Sequence, residues 1–394
     1  MRIAINSLGV DGGGGRTYFD HFLPALLQAD RESEYLVLVR SSSMSSLPAS
    51  SPQMRYIPVE DSTGIVGRFQ REQFWLPRWL KREKVDLLFS PADSTSLLAP
   101  CPVVLAMRNM NLYVPRDKGW SFSFRLKFGA LSRFARLSSK IARKIIFVSH
   151  FSKELIAKQL GIAPEKQKVV YHGVSPQFFE QKNSIPESLA WVRSRTPYLL
   201  SVSSIYRYKN FVRLIEAFAL YRKKATENYH LIIAGKPYDK PYYEQMKKAI
   251  ERHQLESYVY LANEVAYADL PILYQNAKLF IFASYLETFG HPLVEAMAGG
   301  VPILAGDIEN SREIAGEAAL YFNPYDVNKL VDSLGAALEQ TGIRENLILK
   351  GKEQVKQFSW NRCARETADV FREALGKLEV AQTGSSSSAG SRFS

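Results

Sequence analysis

Two glutamates eight positions apart, Glu287 and Glu295, lie in Ala283-Ser284-Tyr285-Leu286-Glu287-Thr288-Phe289-Gly290-His291-Pro292-Leu293-Val294-Glu295. A carboxylate accepts hydrogen bonds from both hydroxyls of a sugar diol. A carboxylate pair also suits a glycosidase acid and nucleophile, or supplies negative charge at a helix start. The last reading covers Glu295 but gives no reason for Glu287 in a loop. A second group, Arg207-Tyr208-Lys209-Asn210, precedes a helical pattern that begins at Phe211. With Asn210 as N-cap, the helix start and two cations make a site for a diphosphate. Gly12 to Gly15 follow the first apolar run, and glycines let backbone amides approach a phosphate or sugar closely.

These groups need a scaffold that brings them together. Strand patterns fall at Arg2–Asn6, Tyr35–Val39, Asp86–Phe89, Pro102–Ala106, Lys144–Val148 and Lys168–Tyr171. A second set falls at Tyr198–Val202, His230–Ala234, Tyr258–Leu261, Leu279–Phe282, Pro302–Leu304 and Ala319–Phe322. Helix-period runs lie between them, for instance Phe211, Leu214, Ile215, Phe218 and Tyr221. Alternation in both halves predicts α/β architecture with two doubly wound sheets. Ser41 to Ser51 reads as a serine-rich loop. Pro292 is placed at the first position of a helix that Gly299-Gly300 end, with Glu295 in its first turn. Glu287 then lies in the strand-to-helix loop, and both carboxylates face the crevice at the carboxyl ends of a parallel sheet.

The 394 residues exceed one ordinary core. Cys101 and Cys363 make no disulfide framework, which fits a reducing compartment. The histidines lack metal-ligand spacing, and no DxD pair occurs. The chain shows no signal-peptide pattern and no apolar run of the ~18 residues a membrane span needs. The +12 formal charge suits an anionic ligand or surface. Nucleic acid is not expected, because no zinc-finger spacing or RRM signature appears.

The glutamate stretch resembles the E-x7-E signature of the family 4 retaining glycosyltransferases, which have the GT-B fold: two Rossmann-like domains facing each other across a deep cleft. Ile146-Phe147-Val148-Ser149-His150-Phe151-Ser152 through Val169-Val170-Tyr171-His172-Gly173-Val174 is similar to a second family stretch. Ser201-Val202-Ser203-Ser204-Ile205-Tyr206-Arg207-Tyr208-Lys209-Asn210 is similar to a third. The resemblance runs from residue 1 to about 378 with order and spacing kept. It implies an acceptor-binding domain at 1–178, a linker at 179–195 and a nucleotide-sugar domain at 196–357. A returning helix at 358–378 and a disordered tail at 379–394 complete the expected layout.

The resemblance also implies roles. Arg207 and Lys209 neutralise the donor diphosphate, with Arg207 substituting for an arginine that the family carries slightly earlier. Glu295 binds the ribose hydroxyls. Glu287 and the amides of Phe289, Gly290, His291, Pro292 and Leu293 contact the transferred sugar. Gly14, Gly15 and Ser203 complete the donor site, and Glu287, Arg207 and Lys209 carry the chemistry. Arg108 and Asn109 are the acceptor-side candidates, because Met107-Arg108-Asn109 replaces the histidine many members carry there. Arg108 reads equally well as a solvated surface charge. No metal or cofactor is expected; the donor is a nucleotide diphosphate sugar.

Basic and aromatic residues interleave over 68–84 and 116–144. Such a mixture suits an anionic membrane surface or an amphipathic helix with its aromatics packed inward. The expected protein is a cytoplasmic hexosyltransferase, peripheral on the inner membrane face, acting on a glycan or lipid-linked acceptor. A nucleotide-sugar 2-epimerase of the same fold and a non-catalytic sugar-nucleotide-binding protein are the alternatives.

Overall fold

The computed structural model describes residues 1–9, 14–47, 50–61, 64–113, 122–182 and 184–377. The first half contributes β1 (Arg2–Asn6), β2 (Glu34–Arg40), β3 (Met54–Val59), β4 (Leu87–Ser90), β5 (Val103–Met107), β6 (Lys144–Phe147) and β7 (Gln167–Val169). They form a parallel seven-stranded sheet in the order β3-β2-β1-β4-β5-β6-β7. The second half contributes β8 (Tyr198–Val202), β9 (His230–Ala234), β10 (Val259–Asn263), β11 (Leu279–Phe282), β12 (Ile303–Gly306) and β13 (Ala319–Phe322). They form a parallel sheet in the order β10-β9-β8-β11-β12-β13. Continuous apolar runs such as Tyr198-Leu199-Leu200 and Leu279-Phe280-Ile281-Phe282 suit strands covered on both faces, and these residues are fully or almost fully buried.

Both sheets reverse direction beside their first strand, β1 next to β4 and β8 next to β11. A switch point of this kind opens a crevice at the strand carboxyl ends. It therefore sets the loop after β8, with Arg207 and Lys209, beside the loop after β11, with Glu287.

β3 is absent from the sequence expectation, and Pro58 is the reason. Proline cannot donate to a ladder and argues against a central strand. β3 is an edge strand, where proline is tolerated. Part of the expected serine loop winds into a 3₁₀ turn at Ser41–Ser46. The 179–195 stretch is also more ordered than its polarity suggests. Glu187–Arg195 forms a kinked 3₁₀ segment whose Leu189 and Val192 are buried in the core of the second half.

The helix Trp360–Ala374 crosses back to the first half. Its Trp360, Ala364, Ala368 and Phe371 join a core with Ile3, Phe22 and Phe89. The rings of Phe89 and Phe371 lie 5.1 Å apart. Gly173 permits this crossing, since a Cβ there would lie 2.2 Å from the backbone nitrogen of Trp360 and 2.6 Å from its ring. Gly173→Ala is expected to lower stability by about 1–3 kcal/mol, the usual range for overpacking. Thermal unfolding checks this, and an unchanged midpoint contradicts it.

Candidate functional site

The loop after β8 winds through one 3₁₀ turn at Arg207–Lys209 before the helix Phe211–Arg222. Lys209 is buried, and its Nζ donates to Oε2 of Glu287. The Lys209 ammonium also lies 5.7 Å from the Phe282 ring centroid, at the end of β11. A buried lysine needs a partner to stay charged. Here the partner comes from the loop that the switch point places next door. Arg207 remains at the rim, its Nε 4.0 Å from Asp239, and among the described residues that buried Nε has no hydrogen-bond partner. Ser203 follows β8 directly, and its amide donates to the Ala234 carbonyl. A Cβ on Gly235 would lie 1.8 Å from the Ser203 carbonyl oxygen, so the backbones touch there.

Asn210 holds the position before the helix but does not cap it through its side chain. It adopts a left-handed conformation at φ 66°, which asparagine tolerates better than most residues. Its Nδ2 donates to Pro324 O at 2.7 Å, and its Oδ1 accepts from Arg213 at 2.9 Å. The expected cap is instead a loop anchor.

The helix after β11 runs from His291 to Ala298, with Gly290 before it at φ 89°. Pro292 is therefore its second residue, and Glu295 lies in its second turn, not its first. The Leu293 amide is taken by the Gly290 carbonyl at 2.9 Å, and Pro292 has none. Among the described residues, the amides of Phe289, Gly290 and His291 find no acceptor. The expected five-amide cradle is thus a shorter one. Gly14 and Gly15 open the helix Gly14–Ala29, while Gly12 and Gly13 lie outside the described residues.

Glu295 does not join Lys209 and Glu287. It is buried, and its Oε2 accepts from the Tyr274 hydroxyl at 3.0 Å. Burial pushes its carboxyl up to about 7, against hydrogen bonds from Tyr274 and Tyr267 that lower it. Tyr267 in turn faces His21 of the first half, with ring centroids 6.4 Å apart. The first half therefore lies over the tyrosine that covers Glu295.

The acceptor-side candidates sit at the end of β5. Arg108 is half-buried with its guanidinium 4.3 Å from the Tyr18 ring centroid, which is no solvated surface charge. Asn109 is exposed, and its side-chain oxygen accepts from the Asn111 amide at 3.1 Å, closing a local turn. The amides of Arg108 and Asn109 both donate to Asp93, a buried residue at φ 51°. Burial raises the Asp93 carboxyl to about 6.

The two halves meet at this loop. Ser149 Oγ donates to the Thr288 carbonyl at 2.5 Å, and Thr288 Oγ1 donates to the Arg108 carbonyl at 3.0 Å. Glu313 accepts from the amides of His150 and Phe151, at 2.6 and 2.8 Å, and from the Tyr171 hydroxyl at 2.8 Å. A carboxylate from the second half thus occupies the positive end of a first-half helix, His150–Leu160. Nearby, His172 Nδ1 and His291 Nε2 lie 2.9 Å apart, stacked with Trp360. Burial holds His172 well below the usual histidine range and His291 at about 4, so both are neutral near pH 7.

Residues 12–178 match the family described as Glycosyltransferase Family 4, and residues 188–354 match Glycosyl transferases group 1. The chain belongs to the family 4 glycosyltransferases. O-antigen chain mannosyltransferase B of Escherichia coli is 27% identical over 233 residues, 59% of this chain and 61% of that protein. O-antigen chain mannosyltransferase RfbU of Salmonella typhimurium is 30% identical over 191 residues, 48% of this chain and 50% of that one. The chain thus spans only 50 to 61% of the length of these curated relatives. WaaG, a glycosyltransferase involved in lipopolysaccharide biosynthesis, superposes with a TM-score of 0.69 at 19% identity over 93% of this chain and 99% of WaaG. Anabaena HepE in complex with UDP-glucose gives 0.69 at 18% over 96% and 100%. At such identity these solved structures show the shared GT-B fold.

Asp93 and Glu313 of this family 4 chain gave no local signal in the sequence; Thr288, His172 and His291 lay in the stretches that resemble the family, but their contacts across the seam did not show there. The family stretch from Ser149-His150 through Tyr171-His172 marked the seam. The Glu295 carboxyl leads to a pH prediction. The folded state holds its proton up to about pH 7, against an ordinary value of 4.5. Its contribution to stability is therefore full below the ordinary value and is lost as pH rises through about 7. Glu295→Gln is expected to gain up to about 3 kcal/mol on the native protein between pH 5 and pH 8. Denaturant unfolding of both proteins checks this, and parallel pH profiles contradict it.

Proposed function

We propose that this chain transfers a hexose, mannose in the first instance, from a nucleotide diphosphate sugar to a hydroxyl of a lipid-linked glycan. The anomeric configuration is retained and no metal takes part. The Lys209–Glu287 pair carries this reading. It sets a cation and a carboxylate at a helix start, between two strands of a switch point. The two O-antigen relatives motivate mannose and a cell-surface glycan, and the HepE complex motivates a nucleotide donor.

Lys209 and Arg207 offset the charge that builds on the departing diphosphate, which is electrostatic stabilisation of the transition state. The amides of Phe289 to His291 add fixed dipoles. Released from Lys209, Glu287 accepts from sugar hydroxyls. The bond from the anomeric carbon to phosphate oxygen breaks, and a bond to the acceptor oxygen forms on the same face. The acceptor proton passes to the leaving phosphate, so no protein nucleophile is required. Separation of the two halves uncovers Glu295 for the ribose hydroxyls, and their return excludes water.

The experiment is incubation with labelled nucleotide sugars and lipid-linked acceptors. Transfer with retention supports the reading; epimerised free donor, or binding without transfer or slow hydrolysis, contradicts it. Lys209→Ala should weaken donor binding about tenfold to a hundredfold, since a charge-assisted contact contributes ~1.5–3 kcal/mol. Unchanged donor affinity removes Lys209 from the site.

The reading includes work at the inner face of the cytoplasmic membrane. Among the described residues, no helix is long and apolar enough to cross a membrane. Phe69, Phe74, Trp75, Leu126, Leu137 and Ile141 are exposed, and Phe69 packs edge-on against Phe134 at 5.4 Å, joining the two segments in one face. The helix Phe122–Ile141 adds exposed Arg125, Lys127, Arg133, Arg136 and Lys140, while Phe128 packs inward. The expected residues 116–121 lie outside the described set. Such a face suits anionic lipid. Flotation with anionic vesicles should carry the protein upward and fade with salt; equal recovery with neutral vesicles contradicts this.

A further inference from the structure

The stretch Gly64–Arg82 is helical throughout but widens into a π turn at Arg71–Trp75. Such turns are rare and cluster at functional sites. Its inner face buries Glu72, Gln73, Leu76, Trp79 and Leu80. Its outer face carries Arg71, Phe74, Trp75 and Arg78, at spacings of three, four and seven that place them on one side. That spacing ordinarily marks the stripe a helix buries. Here Phe74 is 54% and Trp75 37% exposed.

These residues line a cavity of about 500 Å³ together with Asp61 and Gly67, a volume in the range of small-ligand sites. Its charge is two guanidinium groups against one carboxylate, Asp61. Arg78 donates only to the Phe74 carbonyl, at 3.2 Å, and pairs with no carboxylate among the described residues. Arg71 donates to the Glu60 carbonyl and, at 3.4 Å, to the exposed Glu60 carboxylate.

Arg71 joins this cavity to a second, smaller gap. The gap is lined by Leu8, Val59, Glu60 and three arginines, Arg40, Arg68 and Arg71. Arg68 pairs with buried Glu72 at 3.0 Å, and Glu72 accepts from Asn6 at the carboxyl end of β1. A Cβ on Gly9 would lie 2.4 Å from the Arg68 guanidinium, so this side chain touches the loop after β1. Arginines thus extend from the exposed aromatic cavity to the loop after β1, with Glu60 and Glu72 paired among them.

We propose that this cavity binds the phosphate group of a lipid-carried acceptor. Arg71 and Arg78 take the phosphate oxygens, Phe74 and Trp75 cover the first carbons of the hydrocarbon chain, and the Arg68 end directs the glycan toward Glu287. The inference rests on the lipid-linked acceptor of the preceding section, and it is tested by binding alone, without turnover. An anionic group on an apolar chain matches the two guanidinium groups and two exposed rings better than a soluble anion or a neutral lipid does.

The probe is farnesyl diphosphate, titrated into the full chain and followed by calorimetry, with farnesol and inorganic pyrophosphate in parallel. Saturable binding is expected, unaffected by excess UDP or GDP and tighter than either control. The double variant Arg71→Ala, Arg78→Ala should weaken it about tenfold or more, since each guanidinium makes charge-assisted contacts. Phe74→Ala should weaken farnesyl diphosphate but leave pyrophosphate unchanged. Displacement by nucleotide overturns the proposal, because the probe then occupies the donor site. So does unaltered probe binding by a double variant that no longer floats with anionic vesicles, because the arginines then serve bulk lipid. A chain that binds the probe as expected yet transfers no sugar fails the earlier reading and not this one.

Discussion

One loop, 284–291, ties the molecule together, and its constraint is a shortage of room. Two parallel sheets direct their strand carboxyl ends at the same seam, so their loops must share partners. Thr288 is shared in this way: its carbonyl accepts from Ser149 across the seam and from Asn310 in its own half, and its hydroxyl donates to the Arg108 carbonyl. The adjacent Glu287 reaches back to Lys209. A displacement of this loop therefore changes both the ion pair and the contact between the halves. In the proposed reading, donor binding at Lys209 and closure of the seam are coupled through these neighbouring residues.

The seam is built differently on its two sides. At Glu313 the contact is polar: one carboxylate against two helix amides and a phenol. Beside it, the rings of His172, His291 and Trp360 stack, with Tyr18 and Phe289 tilted against His172. Neutral imidazoles suit that packing, since a charge buried among rings would need a partner. The helix Trp360–Ala374 fixes one edge of this stack to the first half and the chain at Phe358 fixes it to the second. Motion of the halves is then expected to pivot near Trp360 and to open toward the loops that carry Lys209 and Arg108.

Much of the fold was legible because parallel strands buried on both faces need continuous apolar runs, and the sequence has them at almost every strand. β3 escaped because Pro58 is acceptable only at an edge, and edge position is a property of the whole sheet. The ion pair was legible in part: Lys209 and Glu287 were each marked by their loops, while their contact depends on β8 lying beside β11. Asn210 has the type expected of a cap, but tertiary contacts to Pro324 and Arg213 recruit its side chain. Asp93, Glu313 and the contact between His172 and His291 were not legible, since the partners lie elsewhere in the chain or in the other half. Glu295 was identified, and its burial under Tyr267 and Tyr274 was not.

The central claim is electrostatic. A buried ammonium and a carboxylate neutralise one another until a stronger anion arrives, and a diphosphate is that anion. A crystal structure of the chain with UDP or GDP tests this most directly. The account predicts phosphate oxygens within hydrogen-bond distance of Lys209 Nζ, Glu287 turned away from it, and the ribose hydroxyls on Glu295. A nucleotide bound elsewhere, with the Lys209–Glu287 contact intact, would contradict it.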